Sequence, residues 1–174
     1  IREIFSESCQ LMGTADVPVG IALSGGIDSS LVAAISSKYY PEQLQAFTIG
    51  YERYALTDER KIAENYSSIL GIPHRQIVIS DEEVVKEFPK IVSLMDTPIA
   101  DIAAHGYYAV SRAARESGFP VLLAGLGGDE IFWGYEWVRE AVKRYSGNKY
   151  SGFKSWLNRF RKGRPNFSCG FYEV

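Results

Sequence analysis

Four short apolar runs set the terms for what this chain can fold into. They are residues 17–23 (V-P-V-G-I-A-L), 44–49 (L-Q-A-F-T-I), 76–79 (Q-I-V-I) and 121–124 (V-L-L-A). Each is too short for a core helix and has the bulk of a strand buried on both faces. Between them lie longer stretches with helical spacing. Residues 27–40 carry Leu31, Val32, Ala34 and Ile35 and stop before Pro41. Residues 57–70 open on Thr57, Asp58 and Glu59 as cap and acidic first turn, and Gly71 closes them. Residues 81–95 form a third stretch, which Pro89 is expected to kink or split. A fourth, 103–116, is closed by Ser117 and Gly118, and a fifth covers 129–145. Strands alternating with helices imply an α/β fold, a parallel sheet with helices on both faces in a three-layer, Rossmann-like sandwich. Ligands in such sheets bind beyond the carboxyl ends of the strands. The chemistry is therefore expected just after Leu23, Ile49, Ile79 and Ala124.

A chain of 174 residues, 46% of them hydrophobic, supports one domain with a real core. Eleven Tyr, nine Phe and three Trp argue against disorder. No apolar run approaches the ~18 residues of a membrane helix. The sequence opens on Ile1 rather than Met, so the expectation is a piece of a longer protein. Cys9 and Cys169, far apart and outside any metal spacing, read as free thiols of a cytoplasmic protein. Residues 139–164 hold nine basic residues and one acid, Glu140. Tyr150, Phe153, Trp156, Leu157 and Phe160 interrupt them like a core-facing stripe, so a solvated helical surface is the reading and nucleic-acid binding is not expected. The expected organisation is a single domain over 1–174, with a nucleotide-binding core at about 16–135 and a basic helical extension at about 136–174.

After the first strand comes Ser24-Gly25-Gly26-Ile27-Asp28-Ser29-Ser30, then an apolar helix. Two glycines let the backbone turn tightly and approach a ligand. The helix that follows aims its free N–H groups and its dipole at the turn, which suits an anion. Ser24, Ser29 and Ser30 add hydroxyl donors. Asp28 would repel a phosphate unless a cation stood between them, which points to Mg²⁺. After the fourth strand, residues 124–135 read A-G-L-G-G-D-E-I-F-W-G-Y. Gly125, Gly127 and Gly128 permit close approach, Glu130 is a helix-start acid, and Asp129 is a candidate second Mg²⁺ ligand. His74 and His105 are read as structural.

The segment from Ser24 to Ser30 resembles the pyrophosphate-binding loop of the N-type ATP pyrophosphatases, among them the asparagine, GMP, NAD and argininosuccinate synthetases. That superfamily cleaves ATP between the α and β phosphates and has the adenine nucleotide α-hydrolase-like fold. The glycine-rich acidic segment narrows the resemblance to asparagine synthetase, which carries a segment like Ser-Gly-Glu-Gly-Ala-Asp-Glu-Leu-Phe-Gly-Gly-Tyr after an Asp-x-Pro segment and a helix. Here Asp96-Thr97-Pro98 precedes the fourth helical stretch in the same order, and the similarity runs over about residues 18–135. The resemblance implies ATP contacts at Leu23, Ser24, Gly25, Gly26, Asp28, Ser29, Ser30, Ile49, Gly125 and Gly127, and Mg²⁺ at Asp28 and Asp129. It implies an AMP-forming carbon–nitrogen ligase that adenylates a carboxylate, with ammonia or an amine as the second substrate. A glutaminase domain, absent here, is expected in the full-length chain or a partner, and a homodimer is allowed.

Departures from the family pattern qualify the reading. Leu126 stands where the family has a Glu that supports the adenylate, so no catalytic residue is assigned and the carboxylate stays open. Trp133 replaces a Gly, and Lys143, Lys149 and Lys154 are not assigned to the family's later lysines. Asparagine synthesis is the default. The alternatives are amidation of another carboxylate, on a sugar acid, peptide or natural product, and an ATP-binding module without turnover.

Overall fold

The computed structural model describes residues 1–53, 58–98, 103–132 and 134–150, the last five as backbone alone. The elements are α1 (Arg2–Gly13), β1 (Val19–Ala22), α2 (Ile27–Tyr39), β2 (Leu44–Tyr51), α3 (Arg60–Leu70), β3 (His74–Ile79), α4 (Asp81–Leu94), α5 (Ala103–Glu116), β4 (Val121–Ala124), α6 (Gly128–Phe132) and α7 (Glu136–Tyr150). Two compact units emerge, Ile1–Gly127 and a second that begins at Gly128.

The first unit holds a four-stranded, all-parallel sheet in the order β3-β2-β1-β4. β1 is therefore central, and the chain moves outward from it first to β2 and β3, then to the other side at β4. That reversal makes a topological switch point between β1 and β4, where the loops leaving the two strands diverge and open a crevice. Register places Ala22 beside both Phe47 and Ala124, so Leu23, Thr48 and Gly125 follow in the next row.

Alternation along the strands sends side chains to two separate layers. Val19, Ile21 and Leu23 pack with Leu44, Ala46 and Leu123 against Val32 and Ala33 of α2 and Ala63 of α3. On the opposite face, Phe47 packs with Val110 and Ala114 of α5, flanked by Ala22, Ile49, Leu122 and Phe119. The rings of Phe47 and Phe119 meet edge-on at 5.4 Å. Helices thus cover both faces, giving the three layers expected from the sequence. α1 packs on α2, and α4 packs on α5.

Several boundaries differ from the sequence reading. α1 carried no expectation at all; its Gly13 ends against Tyr40, whose ring lies 2.4 Å from where a Cβ would stand. α3 opens at Arg60, with Asp58 accepting a hydrogen bond from the Arg60 amide, while Thr57 lies outside the described residues. Gly71 closes α3 in the left-handed conformation (φ 68°), as expected. Pro89 does not split α4, which runs from Asp81 to Leu94. Both Pro89 and Val85, whose carbonyl loses its helical partner, lie on the exposed side, where water can replace the bond. The fifth stretch is two helices rather than one. Gly134 breaks it, its amide returning to the Asp129 carbonyl at 3.0 Å, and a Cβ there would overlap the Asp129 carboxylate. Of the aromatic stripe and the basic run, residues 151–164 lie outside the described residues, as do Trp133 and Cys169.

α4 begins with a reciprocal cap. The Glu83 amide donates to Ser80 Oγ at 3.1 Å, and the Ser80 amide donates to Glu83 Oε2 at 3.0 Å. The Ser80 amide and hydroxyl, both donating to its carboxylate, hold Glu83 below its usual range. Ser80→Ala is expected to cost about 1 kcal/mol in urea unfolding, and Ser80→Asp, which keeps an acceptor, clearly less.

Candidate functional site

A cleft of about 480 Å³ opens at the carboxyl ends of the central strands of the first unit. One wall is the loop between β1 and α2. Gly25 takes a positive φ of 85°, a conformation that disfavours side chains, and a Cβ there would also press on Ile62 of α3 at 2.9 Å. Gly26 is the N-cap of α2. Ser24 and Ser29 stitch the turn together, with Oγ atoms 2.9 Å apart and the Ser24 amide donating to Ser29 Oγ at 3.2 Å. Ser29 Oγ also donates to the Gly26 carbonyl at 3.2 Å. Both hydroxyls border the cleft and can turn toward a ligand by exchanging these local bonds.

The opposing wall is the start of the segment after β4. A Cβ on Gly125 would stand 2.4 Å from the carbonyl carbon of Asp28 and from the Ser29 amide nitrogen. Both are main-chain atoms of the first turn of α2, so nothing flexible can move aside. The two glycine-bearing loops are therefore in backbone contact at the switch point. Gly127 has a different reason to be glycine: its surroundings are open, but its φ is 96°.

The floor and far wall come from β2 and α5. Ile49, Gly50 and Tyr51 line the cleft with Gly106 and Tyr107. Gly106 brings α5 so near the sheet that a Cβ would meet Ile49 Cδ1 at 2.8 Å. At the β2 end, Arg60 donates through Nε to both oxygens of Asp58, at 3.0 and 2.8 Å, and through a terminal nitrogen to the Tyr51 carbonyl at 3.4 Å. The Arg60 hydrogen bonds hold the Asp58 carboxyl below its normal value of 3.8. Beside it, burial raises the Glu59 carboxyl above its normal value.

Of the residues singled out from the sequence, Leu23, Ser24, Ser29, Ile49 and Gly125 line this cleft. Leu23 is 1% exposed and its side chain belongs to the core, so what it offers a ligand is main chain. Gly25, Gly26 and Asp28 shape the adjoining turn. Ser30 lies outside the lining, its Oγ buried without a hydrogen-bond partner. Leu126 does line the cleft and is 71% exposed. Asp129 and Glu130 open α6 in the second unit, where Glu130 accepts from Tyr135 Oη at 2.6 Å. Sequence reasoning passed over Thr48, Arg60 and Gly106, and read Asp58 only as part of a helix start. Each left a trace: a hydroxyl inside an apolar strand, an acid and an arginine two positions apart, a glycine inside a helical stretch.

His105 is fully buried on α5, with Nε2 3.3 Å from Glu87 Oε2 of α4, and Arg112 pairs with the other oxygen of Glu87. The three tie α4 to α5 away from the cleft lining, which fits a structural role. No group of three His, Cys, Asp or Glu side chains among the described residues forms a metal cage.

The family model for asparagine synthase matches residues 1–167. The chain belongs to the asparagine synthase family. It is 39% identical over 142 residues to asparagine synthetase [glutamine-hydrolyzing] 1 of Bacillus subtilis, covering 82% of this chain and 22% of that protein. Amidase chyE of Penicillium rubens is 30% identical over 152 residues, covering 80% of this chain and 23% of its own length. The chain thus spans roughly a fifth of the length of these relatives. Among solved structures, the glutamine-dependent NAD⁺ synthetase of Acinetobacter baumannii, in complex with ADP, superposes with a TM-score of 0.51 at 19% identity, over 75% of this chain and 26% of that one. The NH3-dependent NAD synthetase of Campylobacter jejuni gives the same score at 16% identity, over 76% of this chain and 58% of that one. These two share the fold, which is the adenine nucleotide α-hydrolase-like sandwich.

Two outcomes are expected. Gly125→Ala forces main chain apart and should cost 1–3 kcal/mol in chemical denaturation, roughly as overpacking does. The Asp58 carboxyl titrates lower when folded than unfolded, so its contribution to stability is complete above pH 3.8 and is lost as pH falls through the folded value. Unfolding midpoints measured against pH should therefore fall less steeply on the acid side in Asp58→Asn than in the wild type.

Proposed function

We propose that the protein of which this chain is part is an ATP-dependent amide-forming ligase that adenylates a carboxylate, releasing pyrophosphate and then AMP. One observation supports the reading most: the Ser24–Ser30 turn and the glycine-rich segment at Gly125 meet backbone to backbone beside a cleft large enough for a nucleotide. In this reading the adenosine lies along Ile49 and Gly106, with the main chain at Leu23 and Gly125 on either side. The phosphates rest on the Gly25–Gly26 turn, where the first-turn amides of α2 and the Ser24 and Ser29 hydroxyls donate to oxygens on which charge develops as the bond to pyrophosphate breaks. Asp28 is the proposed Mg²⁺ ligand of this loop and Asp129 that of the second motif. The ion, when bound, neutralises phosphate charge. The carboxylate attacks the α-phosphorus, and an amine or ammonia then displaces AMP from the acyl group.

Aspartate is the default carboxylate. Ammonia would come from a glutaminase domain of the full-length chain or a partner, in keeping with the glutamine-hydrolysing relatives. Leu126 favours a second reading. Exposed in the cleft, it offers neither a proton acceptor nor a hydrogen bond at the position where the family has Glu, which suits a carboxylate on a less polar body. No helix among the described residues is long and apolar enough to cross a membrane. A reducing cytoplasm suits the buried free thiol of Cys9.

The test is pyrophosphate–ATP exchange with Mg²⁺ in the full-length protein, run with and without aspartate. Aspartate-dependent exchange is the expected result, and Asp28→Asn should lower it at least roughly tenfold. ADP as product would exclude the mechanism. Mg-ATP binding with no exchange on aspartate would move the substrate to another carboxylate or leave a nucleotide-binding module.

A further inference from the structure

We propose that Thr48 and His74 are positioning residues for the phosphate loop, acting together through the Leu23 carbonyl; this rests on the reading of the cleft as a nucleotide site. β1 ends at Ala22, and one residue further on a side chain takes the main-chain carbonyl. Thr48 Oγ1 donates to the Leu23 oxygen at 2.6 Å and lies 2.8 Å from His74 Nε2. Thr48 is 3% exposed, so water does not compete for its hydroxyl.

The direction of the relay follows from the inventory of donors. A carbonyl only accepts, so the single hydroxyl proton of Thr48 goes to Leu23. Thr48 Oγ1 is then an acceptor toward His74, and the ring must carry its proton on Nε2. Burial lowers the affinity of the His74 ring for a second proton, with the Glu64 carboxylate opposing that effect in part. The resulting chain runs from His74 Nε2–H to Thr48 and from Thr48 to the Leu23 carbonyl, crossing from β3 through β2 to β1.

The peptide between Leu23 and Ser24 is the hinge from which the loop departs. Thr48 holds its carbonyl, and Ser29 Oγ accepts from its amide at 3.2 Å. The Leu23 amide donates to the Phe47 carbonyl at 2.9 Å, so the residue is fixed on the strand side as well. With both edges of one peptide plane held, the plane cannot rotate, and the loop's amides and serines keep their direction toward the cleft. Loss of the Thr48 hydroxyl would leave the Leu23 carbonyl and the His74 N–H unsatisfied together, each of which can recover only by reorienting.

Calorimetric titration with Mg-ATP tests the assignment, with thermal melts to confirm folding. Thr48→Val, nearly isosteric, should raise the Kd on the order of tenfold, and Thr48→Ser should stay within about twofold of wild type. His74→Leu should weaken binding in the same direction, His74→Gln should largely restore it, and the Thr48→Val/His74→Leu double variant should be no weaker than Thr48→Val alone. Wild-type affinity in Thr48→Val would overturn the proposal. So would wild-type affinity in His74→Leu, which decides the matter if Thr48→Val does not fold. Equal weakening in Thr48→Ser and Thr48→Val would overturn it too, by showing that shape rather than the hydroxyl matters. If the wild type binds no Mg-ATP, the nucleotide reading fails and the proposal fails with it.

Discussion

The arrangement at the cleft depends on one steric contact: the Cα of Gly125 against the main chain of Asp28 and Ser29. Parallel pairing of β1 with both β2 and β4 forces the two connections that leave β1 and β4 to start side by side. They can coexist at that separation only if one of them has no side chain at the point of closest approach. Once Gly125 meets that condition, the first turn of α2 is pinned from one side by the β4 segment and from the other by α3, where Ile62 closes over Gly25. The loop that would hold an anion is thus clamped by packing before any ligand arrives, the kind of preorganisation from which binding and transition-state stabilisation benefit most.

The layers and the glycine turn at Ser24–Ser30 were legible in the sequence because both rest on local patterns. Strand-length apolar runs, helical spacing and a glycine pair before a helix are each contained in ten or so residues. β4, for example, is read from V-L-L-A alone, with the same bounds. Less visible were features that depend on contact across the fold. Gly106 reads as a weak point in a helix until α5 is seen lying against Ile49. Arg60 and Asp58 read as a polar helix start, and only the folded chain shows them bracing the Tyr51 carbonyl. Pro89 did not split α4, for the opposite reason. The local rule allowed a kink or a split, but a proline on the solvent side of a well-capped helix leaves the Val85 carbonyl to water. Gly134 broke the last helical stretch instead, through a close approach to Asp129 that periodicity does not encode.

The chain belongs to the asparagine synthase family, and its turns after β1 and β4 line one cleft. Membership does not dictate what lies at the mouth. Leu126 and Tyr107 are exposed apolar groups in the cleft lining, which also carries the exposed Arg53 and, just before α3, the buried Asp58.

Strand alternation at the end of β2 has a consequence for how such a protein can change over time. Thr48 points with Ala46 into the layer of α2 and α3, and Ile49 points with Phe47 into the layer of α5. Neighbouring residues on one strand therefore serve two independent mechanical supports, one under the Ser24–Ser30 turn and one under the wall that Ile49 forms with Gly106. Substitutions that reshape α5 around Gly106 can alter the shape of that wall while leaving the support of the turn intact. The converse holds for changes in α2 and α3. Lineages built on this sheet can vary the two walls of the cleft along separate routes, with few compensating changes between them.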